Sequence, residues 1–272
     1  MRTIIFMLLF GNLFADSAEY IAQININLEN QEYLKAQDLF DKGLLEYNAS
    51  AELYYVGAQI QLKLDALDKA NKYFLKAIEL DQKNKIYRKS QESLAELKRE
   101  LTSAKKTYDS GLMDDAIIEY QKLTIKYSNN ARVFYELGLV HRAIEELDQA
   151  VQYFQKARLI NPVEVNYAKA IMSISQRMAK SGDIDYRHAE FNEAINKYKK
   201  AIEYNPEYLT AIFKLARTYY RLKDYENAII ALNNGISIDP YQEQCEKMLG
   251  DIYRKTNDVT KAIIHYDRAT NI

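Results

Sequence analysis

Residues 131–164 read ARVFYELGLVHRAIEELDQAVQYFQKARLINPVE, one complete unit of a pattern that recurs along the chain. Within it Ala150, Phe154 and Ala157 stand four and then three residues apart, which sets a small residue, a ring and a second small residue on one stripe of a helix. Upstream, Phe134, Leu137 and Gly138 form a second stripe of the same kind. Asn161-Pro162 ends the unit, because proline offers no backbone N–H to continue a helix. The stretch therefore predicts two antiparallel helices whose small residues let them approach closely while the ring fills the space between.

Outward from this unit, the alanine repeats. Ala36, Ala70, Ala116, Ala150, Ala194, Ala228 and Ala262 are separated by 34, 46, 34, 44, 34 and 34 residues, a single period with 12 residues added once and 10 added once. Pro162, Pro206 and Pro240, the 3 prolines of the 272-residue chain, each lie 12 residues after one of those alanines. With 48% hydrophobic residues the chain is too apolar for disorder, and with 8 Gly it is too poor in turn-formers for an all-β fold. A period of this length means a repeat architecture, since one helix pair cannot bury its apolar stripe alone and must stack on its neighbours.

These residues resemble the tetratricopeptide repeat family. The resemblance covers about 17–272 and is strongest over Ala131 to Glu164 and Leu209 to Gln242, terminal proline included. It implies an all-α fold, an α-solenoid in which antiparallel helix pairs stack into a right-handed superhelix. Seven units are expected: 17–50 (degenerate, with Gly43 and Asn48 in the places of Ala and Pro), 51–84, 97–130, 131–164, 175–208, 209–242 and a shortened 243–272. The insertions, 85–96 and 165–174, precede the first helices of the third and fifth units. From Lys85 to Ser110 neither Pro nor Gly interrupts a three-four apolar spacing, so the first insertion predicts a helix of 26 residues, about 39 Å long. The second predicts another long helix, with a weak point at Gly182 and Asp183.

Residues 1–16 carry Arg2, an apolar run from Thr3 to Phe14 and the small residue Ala15, the pattern of a secretory signal peptide. The run is well short of the roughly 20 residues that span a bilayer. The chain is accordingly expected to be exported, to a bacterial periplasm or cell envelope; a retained leader would instead keep it near a membrane. Cys245, the 1 cysteine, can form no internal disulfide.

Several chemistries are not expected. The net charge of -1 gives no electrostatic footprint for nucleic acid. His141, His188 and His265 stand far apart, so neither a metal site nor a cofactor is expected. No phosphate-cradling glycine loop or Gly-x-Ser-x-Gly turn occurs, and the paired acids Asp114/Asp115 and Glu145/Glu146 fall beside helix turns, where capping accounts for them. The chain is expected not to be an enzyme.

What the resemblance implies instead is binding. In this family the first helix of each pair lines a concave wall whose outward residues select a peptide segment of a partner protein. Carried over by position, the peptide-binding candidates are Tyr135, Arg142, Arg187, Phe213, Arg217, Tyr220, Arg221 and Arg254, with Tyr55 and Gln59 among further wall positions. Arginine forks bind carboxylates and rings supply apolar area, so an acidic segment or a free C-terminus is the expected ligand. The clamp by which one subclass grips chaperone tails needs Lys and Asn around the glycine, where this chain has Ala179 and Asp183. The alternative expectation is a structural component that assembles with itself through an open C-terminal repeat, where Ile263, Ile264, Tyr266 and Ala269 are the candidate surface residues, and through the two long helices.

Overall fold

A computed structural model describes residues 17–272, and the predicted leader lies outside them. Among the described residues there are fourteen helices and no strand. They pair in sequence as hairpins: α1 (Ser17–Glu29) with α2 (Tyr33–Glu46), α3 (Ala51–Lys63) with α4 (Leu67–Leu80), α5 (Lys85–Asp109) with α6 (Met113–Lys126), and α7 (Ala131–Ala143) with α8 (Leu147–Ile160). The series continues with α9 (Val165–Arg187) and α10 (Phe191–Tyr204), α11 (Leu209–Arg221) and α12 (Tyr225–Ile238), and α13 (Glu243–Lys255) and α14 (Val259–Thr270).

The period reappears in the backbone. Seven residues have positive φ, namely Gln31, Asp65, Gly111, Glu145, Ala189, Lys223 and Asn257, and each is the turn between the two helices of one hairpin. At Ala189 the N–H bonds to Tyr186 O (3.1 Å) and the next N–H, of Glu190, to Asp185 O (2.9 Å), so a left-handed residue satisfies two carbonyls that the helix end would leave unpaired. The same two bonds recur at all seven turns. Only one of the seven is glycine, so the tight turn is held against the usual penalty for a side chain in this conformation. At the other end of the hairpins Ser50, Asn84 and Asn130 start α3, α5 and α7 by accepting the N–H of Leu53, Ile86 and Val133 with their side chains.

Packing follows the same positions. Ala36, Ala70, Ala116, Ala150, Ala194, Ala228 and Ala262 are all buried, and four residues after the first six come the buried side chains Phe40, Phe74, Tyr120, Phe154, Tyr198 and Leu232. Burying a ring of this size contributes roughly 2–3 kcal/mol. It requires a small residue opposite: a Cβ on Gly138 would come within 2.6 Å of the Phe154 ring, and one on Gly57 within 2.3 Å of Phe40 in the preceding hairpin.

The insertions lengthen helices. α1, α3, α7, α11 and α13 have 13 residues each, whereas α5 has 25 and α9 has 23, an excess equal to the 12 and 10 residues in the alanine spacing. α5 ends one residue before the predicted boundary because Ser110 is its C-cap, its N–H bonding to Lys106 O. The weak point expected at Gly182 and Asp183 does not break α9, which runs unbroken to Arg187. Gly182 is there for close packing, since a Cβ would lie 2.9 Å from the Tyr198 ring, and Asp183 accepts hydrogen bonds from Tyr198 Oη (2.8 Å) and Lys214 Nζ (2.6 Å).

The chain forms two compact units, the first ending at Tyr167 and the second beginning at Ala168, within α9. The first holds the clusters around Phe40, Phe74 and Tyr120, and Tyr167; the second holds the one around Tyr198, Leu215, Leu232 and Leu249. Cys245 is buried in this last cluster, and burial pushes its thiol up to about 11, so it is a core residue and not a reactive one.

Candidate functional site

In the second unit, α11 decides which residues face outward. Ala211, Ile212, Leu215, Ala216 and Tyr219 bury one face of it. That leaves Phe213 and Tyr220 half-buried and Arg217 and Arg221 exposed at spacings of four, three and one, a single outward stripe. The Arg217 guanidinium lies 4.8 Å from the centre of the Tyr186 ring on α9, a cation–π contact that orients it without neutralising it. Arg187 follows Tyr186 and is exposed.

Acids that sequence reasoning did not place in the wall stand beside these cations. Asp183 takes Lys214 at 2.6 Å, and Asp251 takes Arg254 at 3.3 Å. Each aspartate also accepts a tyrosine hydroxyl from the second helix of its hairpin, Tyr198 to Asp183 (2.8 Å) and Tyr266 to Asp251 (2.7 Å). Burial first, and then the bond to the carboxylate, raises both phenols above their ordinary range. The signal was present in the sequence: Asp183 and Asp251 each precede their tyrosine by 15 residues, whereas Phe74 and Phe154, which have no hydroxyl to donate, are preceded at that spacing by Gln59 and Leu139. Arg217 holds this same register in its own hairpin, 15 residues before Leu232. Hence Lys214 and Arg254 are occupied, while Arg187, Arg217 and Arg221 form no ion pair among the described residues.

The eight candidates are divided between the two units. Tyr135 and Arg142 belong to the first unit and the other six to the second. Tyr135 is half-buried, like Phe213 and Tyr220, its ring 5.4 Å from Phe154 and 5.0 Å from Tyr167, and Arg142 is exposed with its guanidinium 6.0 Å from the Phe154 ring. Tyr55 and Gln59 line a groove of about 680 Å³ in the first unit, with Leu62, Leu94 and Leu97 forming its apolar floor and Lys63 and Lys89 among its cations. Tyr55 is fixed there by stacking on Tyr87 (4.8 Å) and by a hydrogen bond with Ser90 Oγ (3.3 Å).

Among the described residues, no group of three or more His, Cys, Asp and Glu side chains is arranged to hold a metal ion, and no helix is long and apolar enough to cross a membrane. His141 and His265 are instead paired with Glu146 (2.7 Å) and Glu246 (2.6 Å) and stacked on Tyr153 and Tyr253.

Profiles described as tetratricopeptide repeat match residues 51–84, 209–242 and 248–272 and, separately, 101–162; one described as TPR repeat matches 182–223. Together they take in most of the chain. The chain belongs to the tetratricopeptide repeat family. Similar proteins include a TPR repeat-containing protein of Methanocaldococcus jannaschii, 24% identical over 68% of this chain and 36% of that protein. Anaphase-promoting complex subunit 3 of Schizosaccharomyces pombe is 27% identical over 57% and 23%, and DnaJ homolog subfamily C member 3 of Gallus gallus 24% identical over 62% and 34%. The chain thus spans between 23% and 36% of the length of these relatives. Among solved structures, MamA is similar over 62% of this chain and 92% of its own, with 22% identity and a TM-score of 0.35, and the P58(IPK) TPR domain over 94% and 93%, with 13% identity and a TM-score of 0.34.

Proposed function

We propose that this tetratricopeptide repeat chain is a non-enzymatic scaffold whose α11 wall holds an acidic segment of a partner protein. The observation that carries this reading is the outward stripe Phe213, Arg217, Tyr220 and Arg221, two rings beside two guanidiniums that no carboxylate of the described residues occupies. A guanidinium presents a planar fork to a carboxylate, and a neighbouring ring adds apolar contact at small entropic cost. Arg187, exposed at the end of α9 beside Tyr186, is a further cation without an ion pair among the described residues, whereas Arg254 is held by Asp251 and contributes less than its position suggests. The cell envelope as the place of action rests on the apolar run Thr3 to Phe14 and the small residue Ala15. Fractionation of the native host, with mass determination of the mature N-terminus, tests that part.

A photo-cross-linking residue at Phe213, used in the native host and followed by mass spectrometry, should capture one predominant partner. The double substitution Arg217→Glu/Arg221→Glu should cut that capture at least about tenfold with the helical circular dichroism unchanged, since reversing two charges turns attraction for a carboxylate into repulsion. Undiminished capture would remove the α11 wall from the proposal. A second reading, self-association, is favoured by the exposed aliphatic flank of α14, where Ile263 is 62% and Val259 63% exposed. Light scattering on the purified chain separates the two: a mass that grows with concentration supports self-association, and a constant monomer mass removes it.

A further inference from the structure

The insertion 85–96 lies wholly within α5 and gives this helix two halves with different neighbours. Gln91, in the first half, donates to Asn71 of α4 (3.1 Å), and Thr107, near the end, donates to Glu119 of α6 (3.0 Å). The 12 added residues of helix carry the contacts of the third hairpin about 18 Å further along α5. The α6–α7 turn then meets α5 at Glu96 and Glu100, which both accept from Lys126 Nζ (2.8 Å). Ahead of that turn, the first half of α5 faces α3 across open space, the groove of about 680 Å³.

The lining of this groove suits one kind of occupant. Leu62, Leu94 and Leu97 make its floor apolar, and its charged lining residues are Lys63, Lys89 and Lys126, with no Asp or Glu among them. Lys126 is held by Glu96 and Glu100. Lys63, half-buried at the end of α3, and Lys89, exposed on the insertion, form no ion pair among the described residues. Two such ammonium groups beside apolar surface attract an anion that carries an apolar body of its own. Part of the polar rim is already taken up by the protein: Ser90 Oγ bonds with Tyr55 Oη (3.3 Å), and Asn130 Oδ1 accepts the Val133 N–H (3.3 Å). A peptide would bring an N–H and a C=O with each residue onto a floor that offers them no partner, whereas an acyl chain brings neither. The volume falls within the roughly 300–1,000 Å³ of sites that enclose small ligands.

We infer that this groove binds a long-chain fatty acid, with its acyl chain along Leu62, Leu94 and Leu97 and its carboxylate taken by the lysines that lack an ion pair, Lys63 and Lys89. The insertion thereby acquires a role, since lengthening α5 is what opens a ligand site between two hairpins. This is independent of the α11 wall, which lies in the other unit.

Calorimetry with laurate, kept below its micelle concentration, tests the site on the full chain. Saturable binding of one laurate per chain is expected, with decanoate, two methylenes shorter, bound roughly tenfold more weakly. Dodecanol, which has the same chain as laurate and no charge, should also bind at least about tenfold more weakly, as should laurate to Lys63→Glu/Lys89→Glu with helicity unchanged. If that variant loses helix content, the parent chain decides the matter: its affinity for laurate should fall as salt rises, and an affinity indifferent to salt would overturn the inference. The chain has 0 Trp, so Ser128→Trp reports on the groove alone. A brominated fatty acid should quench that tryptophan and leave one introduced by Phe213→Trp on α11 unquenched. No saturable binding, equal affinity for laurate and dodecanol, undiminished affinity in the folded charge-reversed variant, or equal quenching at the two positions would each overturn the site. Adsorption to phosphatidylglycerol vesicles without binding of monomeric laurate would overturn it too, in favour of a membrane surface.

Discussion

Replacing Asp65 with Asn should stabilise the first unit, by an amount that grows with pH. The Asp65 side chain is 7% exposed, with Tyr167 Oη as its one hydrogen-bond donor. Burial, offset in part by Tyr167 and Arg132, raises its carboxyl from 3.8 to about 6. A raised carboxyl pKa means that the folded state favours the protonated form. The contribution is fully present below the unfolded value and is lost as pH rises through the folded one. Each tenfold difference in proton affinity is worth about 1.4 kcal/mol, so ionised Asp65 costs about 3 kcal/mol relative to its neutral form. Asparagine keeps the shape and an oxygen for Tyr167 while removing the ionisation. The expected advantage of Asp65→Asn is about 1 kcal/mol near pH 4.5 and about 3 kcal/mol near pH 8, read from urea unfolding followed by circular dichroism. A difference between variant and parent that is the same at both pH values, or that favours the parent at the higher one, would refute the reasoning.

Other expectations follow from single residues. Ala189 holds φ 62 at the turn between α9 and α10. Ala189→Gly relieves a left-handed side chain at about 1–2 kcal/mol, against the entropy glycine loses, and should raise stability by about 0.5–1 kcal/mol in urea unfolding; a loss of stability would count against the turn geometry. Cys245 is buried with its thiol pushed up to about 11, so a water-soluble disulfide reagent should label the native chain at least about 100-fold more slowly than the urea-unfolded chain. Equal rates would mean that the last core cluster is not closed.

Much of the exposed face of α11 was legible because it obeys the period. Phe213, Arg217, Tyr220 and Arg221 follow from one helix with its buried face on Ile212, Leu215 and Ala216, and helix geometry alone then points them outward. The neutralisation of Lys214 and Arg254 was harder to see. It depends on Asp183 and Asp251, whose side chains are turned by tyrosines on another helix, and a charge count along the chain cannot tell a free arginine from a paired one. Tyr135 stands at the repeat position of Phe213 and is half-buried like it, with its ring against Phe154 and Tyr167, contacts that lie on other helices and that local spacing does not record.

From the order of residues alone came the hairpins, the lengthening of two of their helices and the seven alanines that bury between them, because these depend on contacts within one period, where spacing along the chain translates directly into position in space. Tertiary structure alone decided that Tyr33 meets Ile160, that Tyr167 meets Asp65, and that Asn161 is sealed without a partner. Those contacts join residues more than a hundred positions apart. They depend on small rotations accumulated from hairpin to hairpin, including the long α5, and no local pattern of side chains records that sum.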